Sequence, residues 1–397
     1  MAAEPAAAPS TDAAPPTDAA PLAGVLVADF SRVLAGPLAA MTLADLGATV
    51  VKVERPGTGD DTRAWGPPYG ERGATYFESV NRNKQSIALD LTDPEDLATA
   101  RELALRADVL IENFRPGTLE RLGLGHEELS ATNPRLVSAS ISGFGSGAGA
   151  SLPGYDFVVQ AVGGLMHITG EQDGDPMKAG VALVDVLTGK DAVIAILAAL
   201  QRRERTGHGS HVEVNLLSSL QGSLVNQAAA HLGAAVNPTR LGNVHPSIAP
   251  YQLLACADEP LAVACGNDGQ FRALVTALDI PALADDARFA TNRERVGHRV
   301  ELVAALEAAL ASDSAESWQR RLTAVGVPVG VVADIPTGLA FAAELGLEPV
   351  IEVLDDTGEV VGRQVRNAIS WTPSFPVPRQ APPALDADGA RVRDWLR

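Results

Sequence analysis

Residues 25–54 decide the fold, and they read VLVADFSRVLAGPLAAMTLADLGATVVKVE. The β-rich ends of this stretch predict strands at Val25–Phe30 and Thr49–Glu54, and the part between them predicts a helix at Gly36–Leu46. A strand, a helix and a second strand in this order make a right-handed crossover between parallel strands. The first ordered part of the chain is therefore predicted to be an α/β fold.

The same alternation continues along the chain. Further strands are predicted at 85–90, 109–111, 136–141 and 211–215, and Asp93 followed by Pro94 is typical of a helix start. Strands that alternate with helices predict a doubly wound, Rossmann-like α/β domain with a parallel sheet covered on both faces. Ligands of such sheets bind beyond the carboxyl ends of the strands, which here are the loops at 31–37 and 112–117.

The length of 397 residues favours two domains. Residues 1–21 are almost entirely Ala, Pro, Thr and Asp and are predicted to be a disordered tail. We predict that the large α/β domain is built from an N-terminal and a C-terminal part, with a smaller α+β domain between them. The predicted ranges are 22–208 for the N-terminal part, 209–241 for a linker, 242–325 for the small domain, and 326–397 for a return linker and the C-terminal part.

The composition excludes several classes of partner. A formal net charge of -18 argues against binding to nucleic acid or to anionic membranes, and no apolar run is long enough to span a bilayer. Cys256 and Cys265 are the only cysteines and are too far apart in sequence for a Cys-x-x-Cys site, so no disulfide framework or metal cluster is predicted. We expect both to be reduced thiols in a cytoplasmic protein.

Residues 180–189, GVALVDVLTG, place the carboxylate of Asp185 between an apolar run and a stretch of helix formers that begins at Asp191. A carboxylate near the positive end of a helix is expected to stay ionised at neutral pH. It can act as a nucleophile toward an activated acyl group. The alternative is that Asp185 only caps the helix.

Several segments, in this order, resemble the class III CoA-transferase family, which includes formyl-CoA, carnitine-CoA and bile-acid CoA transferases. They are LAGP at 34–37, LADLGATVVKVERP at 43–56, NRNKQSI at 81–87, ENFRPG at 112–117, and KAGVALVD at 178–185 followed by Thr188 and Gly189. The catalytic aspartate of the family lies in the motif that Asp185 occupies here. The resemblance implies that Asp185 attacks an acyl-CoA thioester to form a mixed anhydride and then an aspartyl-CoA thioester.

The resemblance also implies the rest of the site. Acyl-CoA and a carboxylic acid are the expected substrates, with no metal and no further cofactor, and the chain is expected to form an interlocked homodimer. The residues implied to contact CoA are Leu34, Ala35, Arg55, Lys84, Asn113, Phe114 and Arg121.

This chain departs from the family pattern at two places. Leu34 stands where formyl-CoA transferase carries a glutamine, which favours an acyl group bulkier or more apolar than formate or oxalate. Residues 243–250, with His245, Pro246 and Pro250, replace a glycine run that forms a mobile lid, and the prolines predict a stiffer loop.

Two alternatives stay open from sequence. The first is an α-methylacyl-CoA racemase of the same fold. A racemase places a histidine before its aspartate, whereas this chain has Tyr155 before Asp156, and a tyrosine with a pKa of about 10 is a poor base near neutral pH. The second is an acyl-CoA-binding protein that has lost catalysis.

Overall fold

A computed structural model describes residues 20–397, so the predicted tail lies outside the described residues except for its last two positions. The strands are β1 Leu26–Asp29, β2 Thr49–Glu54, β3 Tyr69–Gly70, β4 Gly73–Ala74, β5 Lys84–Ala88, β6 Val109–Glu112, β7 Val137–Ser142, β8 Ser210–Asn215, β9 Tyr251–Ala255, β10 Pro260–Ala264, β11 Val329–Val331, β12 Val350–Leu354 and β13 Val360–Val365. The first eight helices are α1 Ala35–Asp45, α2 Thr75–Glu78, α3 Pro94–Arg106, α4 Thr118–Arg121, α5 His126–Thr132, α6 Asp156–Val162, α7 Leu165–Ile168 and α8 Leu183–Thr206. The others are α9 Leu216–Ser223, α10 Val225–Ala234, α11 Asp268–Ala277, α12 Asn292–Gly297, α13 Arg299–Leu310, α14 Ala315–Ala324, α15 Ile335–Glu344 and α16 Gly389–Leu396.

Six strands form one sheet in the order β5-β2-β1-β6-β7-β8, and every neighbouring pair is parallel. The order of the chain through the sheet reverses between β1 and β6, which is the topology of a doubly wound fold. All six strands predicted from sequence are present, and the prediction of a mixed α/β fold with a parallel sheet is confirmed. The loops that follow β1 and β6 lie at the switch point, where doubly wound folds bind their ligands.

Alternate residues of the strands enter two separate cores. Val27 and Val50 pack with α1 and α8 on one face, whereas Leu26, Ala28 and Val51 pack with α3 and α16 on the other. Because side chains of a strand point alternately to the two faces, a strand covered by helices on both sides is apolar along its whole length. This explains the short apolar runs of β1 and β6 in the sequence.

Helix α1 packs closely on α8 at a glycine. A Cβ atom built on Gly189 would lie 2.7 Å from the carbonyl oxygen of Ala35, so a larger residue does not fit there. Helix α8 is followed by Gly207, whose φ of 74° is the left-handed conformation common after a helix. The contact at Gly189 fixes the start of α1 against the second turn of α8.

The C-terminal segment covers the β5 edge of the sheet. Asp388 accepts a hydrogen bond from the backbone N–H of Ser86 at 2.9 Å, and Asp386 accepts one from Ala88 at 2.8 Å. Val392 and Leu396 of α16 belong to the same core as α3. The C-terminal segment thus packs on the large unit and satisfies donors that an open sheet edge would expose.

The described chain divides into two compact units. The larger holds residues 20–165, 178–236 and 348–397, and the smaller holds 166–177 and 237–347. Residues 209–236, predicted as linker, belong to the larger unit because β8 is the last strand of its sheet. Residues 326–347, predicted as part of the return, belong to the smaller unit, since β11 completes its antiparallel sheet β11-β10-β9.

Within residues 20–397, no helix has both the length and the apolar character that crossing a membrane requires.

Candidate active site

Asp185 lies in the first turn of α8. The helix begins at Leu183, eight residues before the predicted start at Asp191, so the carboxylate is part of the helix and does not precede it. The prediction missed this because Gly189 weakens the helical pattern, whereas in the structure it provides the close contact with α1. The hydroxyl of Thr188 donates to the carbonyl of Val184 at 2.7 Å, which satisfies a polar side chain inside the helix packing.

The start of α8 is capped by a residue from another helix. Oδ1 of Asp156, the first residue of α6, accepts hydrogen bonds from the backbone N–H groups of Val184 at 2.7 Å and Asp185 at 3.2 Å. Oδ2 of Asp156 accepts from Nε2 of Gln160 at 2.6 Å, and Oε1 of this fully buried glutamine accepts from the N–H of Ala179 at 2.9 Å. In the sequence, Asp156 stood out only as part of a racemase motif, and nothing there pairs it with α8.

The pKa of Asp185 is raised from its ordinary value of 3.8 to about 7, first by burial and second by the negative charge of Asp156. The expectation that Asp185 is fully ionised at neutral pH is therefore wrong. A helix start favours a carboxylate through its free N–H groups, and here Asp156 occupies two of them. Burial, followed by the charge of Asp185, raises the pKa of Tyr76 to about 12, so this phenol of α2 lies within electrostatic reach of the carboxylate.

The loop after β1 is held by side chains from neighbouring loops. Oδ1 of Asn113 accepts from the N–H of Arg32 at 2.8 Å, and Nδ2 of Asn113 donates to the carbonyl of Arg32 at 2.7 Å. Val33 has a φ of 73°, which is rare for a β-branched residue, and its N–H lies 3.3 Å from both carboxylate oxygens of Asp60. Asn113 therefore positions the backbone that leads into Leu34 and Ala35, where α1 begins.

Lys84 is not available to CoA. Its ammonium group lies 3.0 Å from the carboxylate of Asp29 and donates to the carbonyl of Pro37 at 2.9 Å and to Oδ1 of Asn81 at 2.8 Å. Its side chain is fully buried, and this burial lowers its pKa to about 8 despite the nearby Asp29. The expectation that Lys84 contacts the CoA phosphates is wrong, because its three protons already have internal acceptors.

A second buried ion pair lies beside the first. Lys52 is 2.9 Å from Asp60, and neither side chain is exposed. The ammonium group of Lys52 also donates to the carbonyl of Ser31 at 2.8 Å. The two lysines therefore hold β1 and the loop after it through buried ion pairs and hydrogen bonds, and they are part of the scaffold of the site.

A cavity of about 330 Å³ opens at the carboxyl ends of β1 and β2. Its lining combines apolar and charged residues: the apolar ones are Phe30, Val53, Leu89, Leu91 and Phe114, and the charged ones are Arg32, Lys52, Glu54, Arg55, Asp60 and Asp90. Arg55 is 56% exposed at its side chain and keeps only a 3.8 Å contact with Asp61. The cavity therefore presents a partly free guanidinium group next to an apolar wall.

The predicted CoA residues thus fall into different places. Arg55 and Phe114 line the cavity, while Leu34 and Ala35 lie at the start of α1, next to α8. Arg121 is exposed on α4 and hydrogen-bonds Thr118 at 3.2 Å; it does not line this cavity. Arg32 also lines the cavity but was not among the predicted residues, although it lies in the loop 31–37 that was predicted to bind ligands.

Residues 243–250 belong to the smaller unit and are held at several backbone atoms. Nε of the buried Arg295 donates to the carbonyl of Ala249 at 2.7 Å, Nδ2 of Asn292 donates to that of Ser247 at 2.9 Å, and Arg299 donates to that of His245 at 2.8 Å. These contacts agree with a stiff loop. Its role as a lid stays a prediction.

Comparisons with known proteins identify the family. The model of CoA-transferase family III matches residues 22–389. The succinate–glutarate CoA-transferase of Agrobacterium fabrum is 47% identical over 326 residues, covering 79% of this chain and 80% of the relative. The acetyl-CoA:oxalate CoA-transferase of Acetobacter aceti is 41% identical over 376 residues, covering 93% and 94%.

A solved structure is also similar to this chain over nearly its whole length. The crystal structure of a CAIB/BAIF family protein from Brucella suis has a TM-score of 0.84 to this chain at 42% identity, and the match covers 95% of this chain and all of that one. The resemblance noted in the sequence is thereby confirmed over nearly the whole chain. The protein belongs to CoA-transferase family III and is an enzyme that transfers CoA between acyl-CoA and carboxylate substrates.

Proposed function

We propose that CoA moves from an acyl-CoA donor to a carboxylic acid through covalent intermediates on Asp185. The observation that carries the proposal is the position of this carboxylate, partly buried in the first turn of α8, where burial and Asp156 raise its pKa to about 7. A more basic carboxylate is a stronger nucleophile once it is ionised, and a pKa near the working pH leaves a large ionised fraction.

The proposed reaction needs no external acid or base. The ionised carboxylate attacks the thioester carbon, the C–S bond of the adduct breaks, and CoA leaves as a thiolate, so that a mixed anhydride of Asp185 and the donor acid remains. The thiolate then attacks the aspartyl carbonyl, which releases the donor acid as a carboxylate and leaves an aspartyl-CoA thioester. The acceptor carboxylate attacks this thioester, and the released thiolate finally takes the new acyl group and restores Asp185. No metal or further cofactor takes part in this proposal.

We infer that the phosphate end of CoA binds at the cavity beside Arg55 and Arg32. In a protein with a net charge of -18, an anionic ligand needs a local cation, and Arg55 has only a weak partner. We expect Arg55→Ala to raise the KM for acyl-CoA about tenfold, the effect of one lost charge-assisted contact. Arg272→Ala, on the exposed face of α11, is the control that leaves KM unchanged.

We propose that at least one of the two acids is dicarboxylic. One relative is named for succinate and glutarate, and the other for acetyl-CoA and oxalate. Leu34 at the start of α1 favours the longer acids over oxalate, because its apolar side chain offers no hydrogen bond to a second carboxylate close to the reacting carbon. A panel of acyl-CoA donors with labelled acids tests this, and a preference for oxalate would contradict it.

We propose that two chains form the interlocked homodimer implied by the resemblance. The support is two helices without a single buried residue, α10 and α15, which carry apolar side chains such as Leu232 at 84% exposure and Ile335 at 81%. Apolar side chains that are exposed along a whole helix indicate a surface on which another chain binds. We also place the protein in the cytoplasm, supported by its two unpaired cysteines.

Trapping of the intermediate tests the proposed chemistry. Incubation with acyl-CoA and hydroxylamine is expected to convert Asp185 to a hydroxamate, which peptide mass spectrometry detects. Asp185→Asn removes the signal and the transfer activity, whereas Asp191→Asn, two turns further along α8, keeps both. Modification at another residue overturns the proposal, and exchange of the α-hydrogen of a 2-methylacyl-CoA would favour the racemase instead.

A further inference from the structure

The proposed function draws on the charge of Asp156, but Asp156 also holds the N-terminus of α8 by hydrogen bonds. We define the Asp156 clamp as Asp156, Gln160 and the backbone N–H groups of Ala179, Val184 and Asp185. Both carboxylate oxygens of Asp156 are engaged, one by the start of α8 and the other by the buried Gln160. The clamp thus ties the segment before Asp185 and the helix that carries it to α6.

The first turn of α8, a helix of 24 residues, is capped by a residue of another helix and not by its own N-cap residue. The residue at the N-cap position, Ala182, has no side-chain acceptor, so the first turn depends on Asp156. This arrangement brings a second carboxylate next to Asp185. A cap by serine or threonine would have satisfied the same donors without adding a negative charge.

We infer that Asp156 is the positioning residue for Asp185: it holds the start of α8 in place and takes the amide hydrogens that would otherwise stabilise the ionised nucleophile. The inference rests on the proposed role of Asp185. With those donors occupied, the Asp185 carboxylate stays basic and reactive. Tyr76 of α2 also lies within electrostatic reach of Asp185, and on α8 itself Lys190 is exposed and more than a turn away.

The pH dependence of kcat/KM tests this role. The wild-type enzyme is expected to lose activity below a pH of about 7, where Asp185 becomes protonated. Asp156→Asn keeps an oxygen that accepts the two N–H groups but removes the charge. We therefore expect its acid limb to move down by about one pH unit and its kcat at high pH to fall several-fold, with the KM for acyl-CoA unchanged.

Two further variants separate positioning from general stability. Gln160→Ala leaves the charge of Asp156 but not its orientation, so kcat is expected to fall about tenfold while the acid limb does not move to lower pH. Asp93→Asn changes the N-cap of α3, far from α8 in sequence, and is expected to leave kcat and the pH profile unchanged. Gln160→Ala also keeps the inference testable if Asp156→Asn does not fold.

The outcomes distinguish this inference from the proposed function. A folded Asp156→Asn enzyme with an unmoved acid limb, or a Gln160→Ala enzyme with unchanged kcat, overturns the positioning role while Asp185→Asn remains inactive. An active Asp185→Asn enzyme would instead reject the nucleophile itself.

Discussion

At the scale of single residues, Asp185 is expected to cost the fold stability. Its folded pKa of about 7 lies above the ordinary 3.8, so the folded state binds the proton more tightly, and stability falls as the pH rises from the ordinary pKa to the folded one. We therefore expect Asp185→Asn to be more stable than wild type at pH 8, by up to about 4 kcal/mol, although it is inactive. Urea unfolding at pH 5 and pH 8 checks this, since only part of the loss is present at pH 5 and the difference should be clearly larger at pH 8.

Replacement of Lys84, in contrast to that of Asp185, is expected to lower the stability of the fold. Removing one partner of a buried ion pair leaves the other charge without compensation, so Lys84→Met is expected to cost about 3–5 kcal/mol of stability by stranding Asp29. The exposed Lys190→Met is the matched control and should change stability little. Unfolding free energies measure the difference. A Lys84→Met protein of normal stability with a raised KM for CoA would show that the lysine meets the ligand after all.

The residue types of the site were visible in the sequence, but their partners were not. Asp185 could be singled out because an apolar run and a helix frame it. Lys84 was misplaced because its acceptor Asp29 lies 55 residues away, and Asp156 was missed because its contacts with α8 span 28 and 29 residues. Burial and long-range pairing decide whether a charge serves the ligand or the scaffold, and no local pattern encodes either.

At the scale of elements, the contact between α1 and α8 depends on Gly189. Alanine there would gain helix propensity, but its Cβ would lie 2.7 Å from the carbonyl oxygen of Ala35 and force the helices apart. We expect Gly189→Ala to lose about 1–3 kcal/mol of stability and to lower kcat by moving Asp185 relative to α1. Thermal unfolding and steady-state kinetics measure both effects.

The control for this variant is Gly222→Ala in α9, where a Cβ meets no atom within 4 Å. That substitution should stabilise the protein by about 0.5–1 kcal/mol and leave kcat unchanged. Equal behaviour of the two variants would contradict the role of the close contact.

The strands were predictable and the helix starts were less so. Strands buried on both faces, such as β1 and β6, produce short apolar runs that differ clearly from their surroundings. The start of α8 was placed eight residues late because its cap comes from α6 and because a glycine that serves packing looks like a helix breaker. Local signals fail where tertiary contacts replace them.

At the scale of the whole molecule, we expect the exposed helix α15 to contribute to the contact between two chains of the proposed homodimer. Light scattering is expected to give the wild-type protein twice the mass of one chain. Phe341→Asp, which puts a charge on a helix with no buried residue, should weaken or abolish the dimer. Val300→Asp is the control, because Val300 is an isolated exposed residue on a helix that buries its other side. A monomeric wild type would contradict the proposal.

The order of the two units along the chain was harder to predict than their existence. The alternation of helices and strands indicated a large α/β unit, and the small unit has its own core around Phe271 and Trp318. The boundaries differed because the large unit is assembled from three separate segments of the chain.

The carboxylates that seal the β5 edge lie far along the chain from it, since Asp386 follows Ala88 by 298 residues and Asp388 follows Ser86 by 302. During synthesis the nascent chain therefore holds an open parallel edge until residues 386–388 have been made, with the amides of Ser86 and Ala88 free to recruit a foreign strand. Premature termination before Asp386 would make that exposure permanent. Such truncated products are expected to accumulate as aggregates, so this segment acts as a late seal on a sheet whose strands were all synthesised long before it.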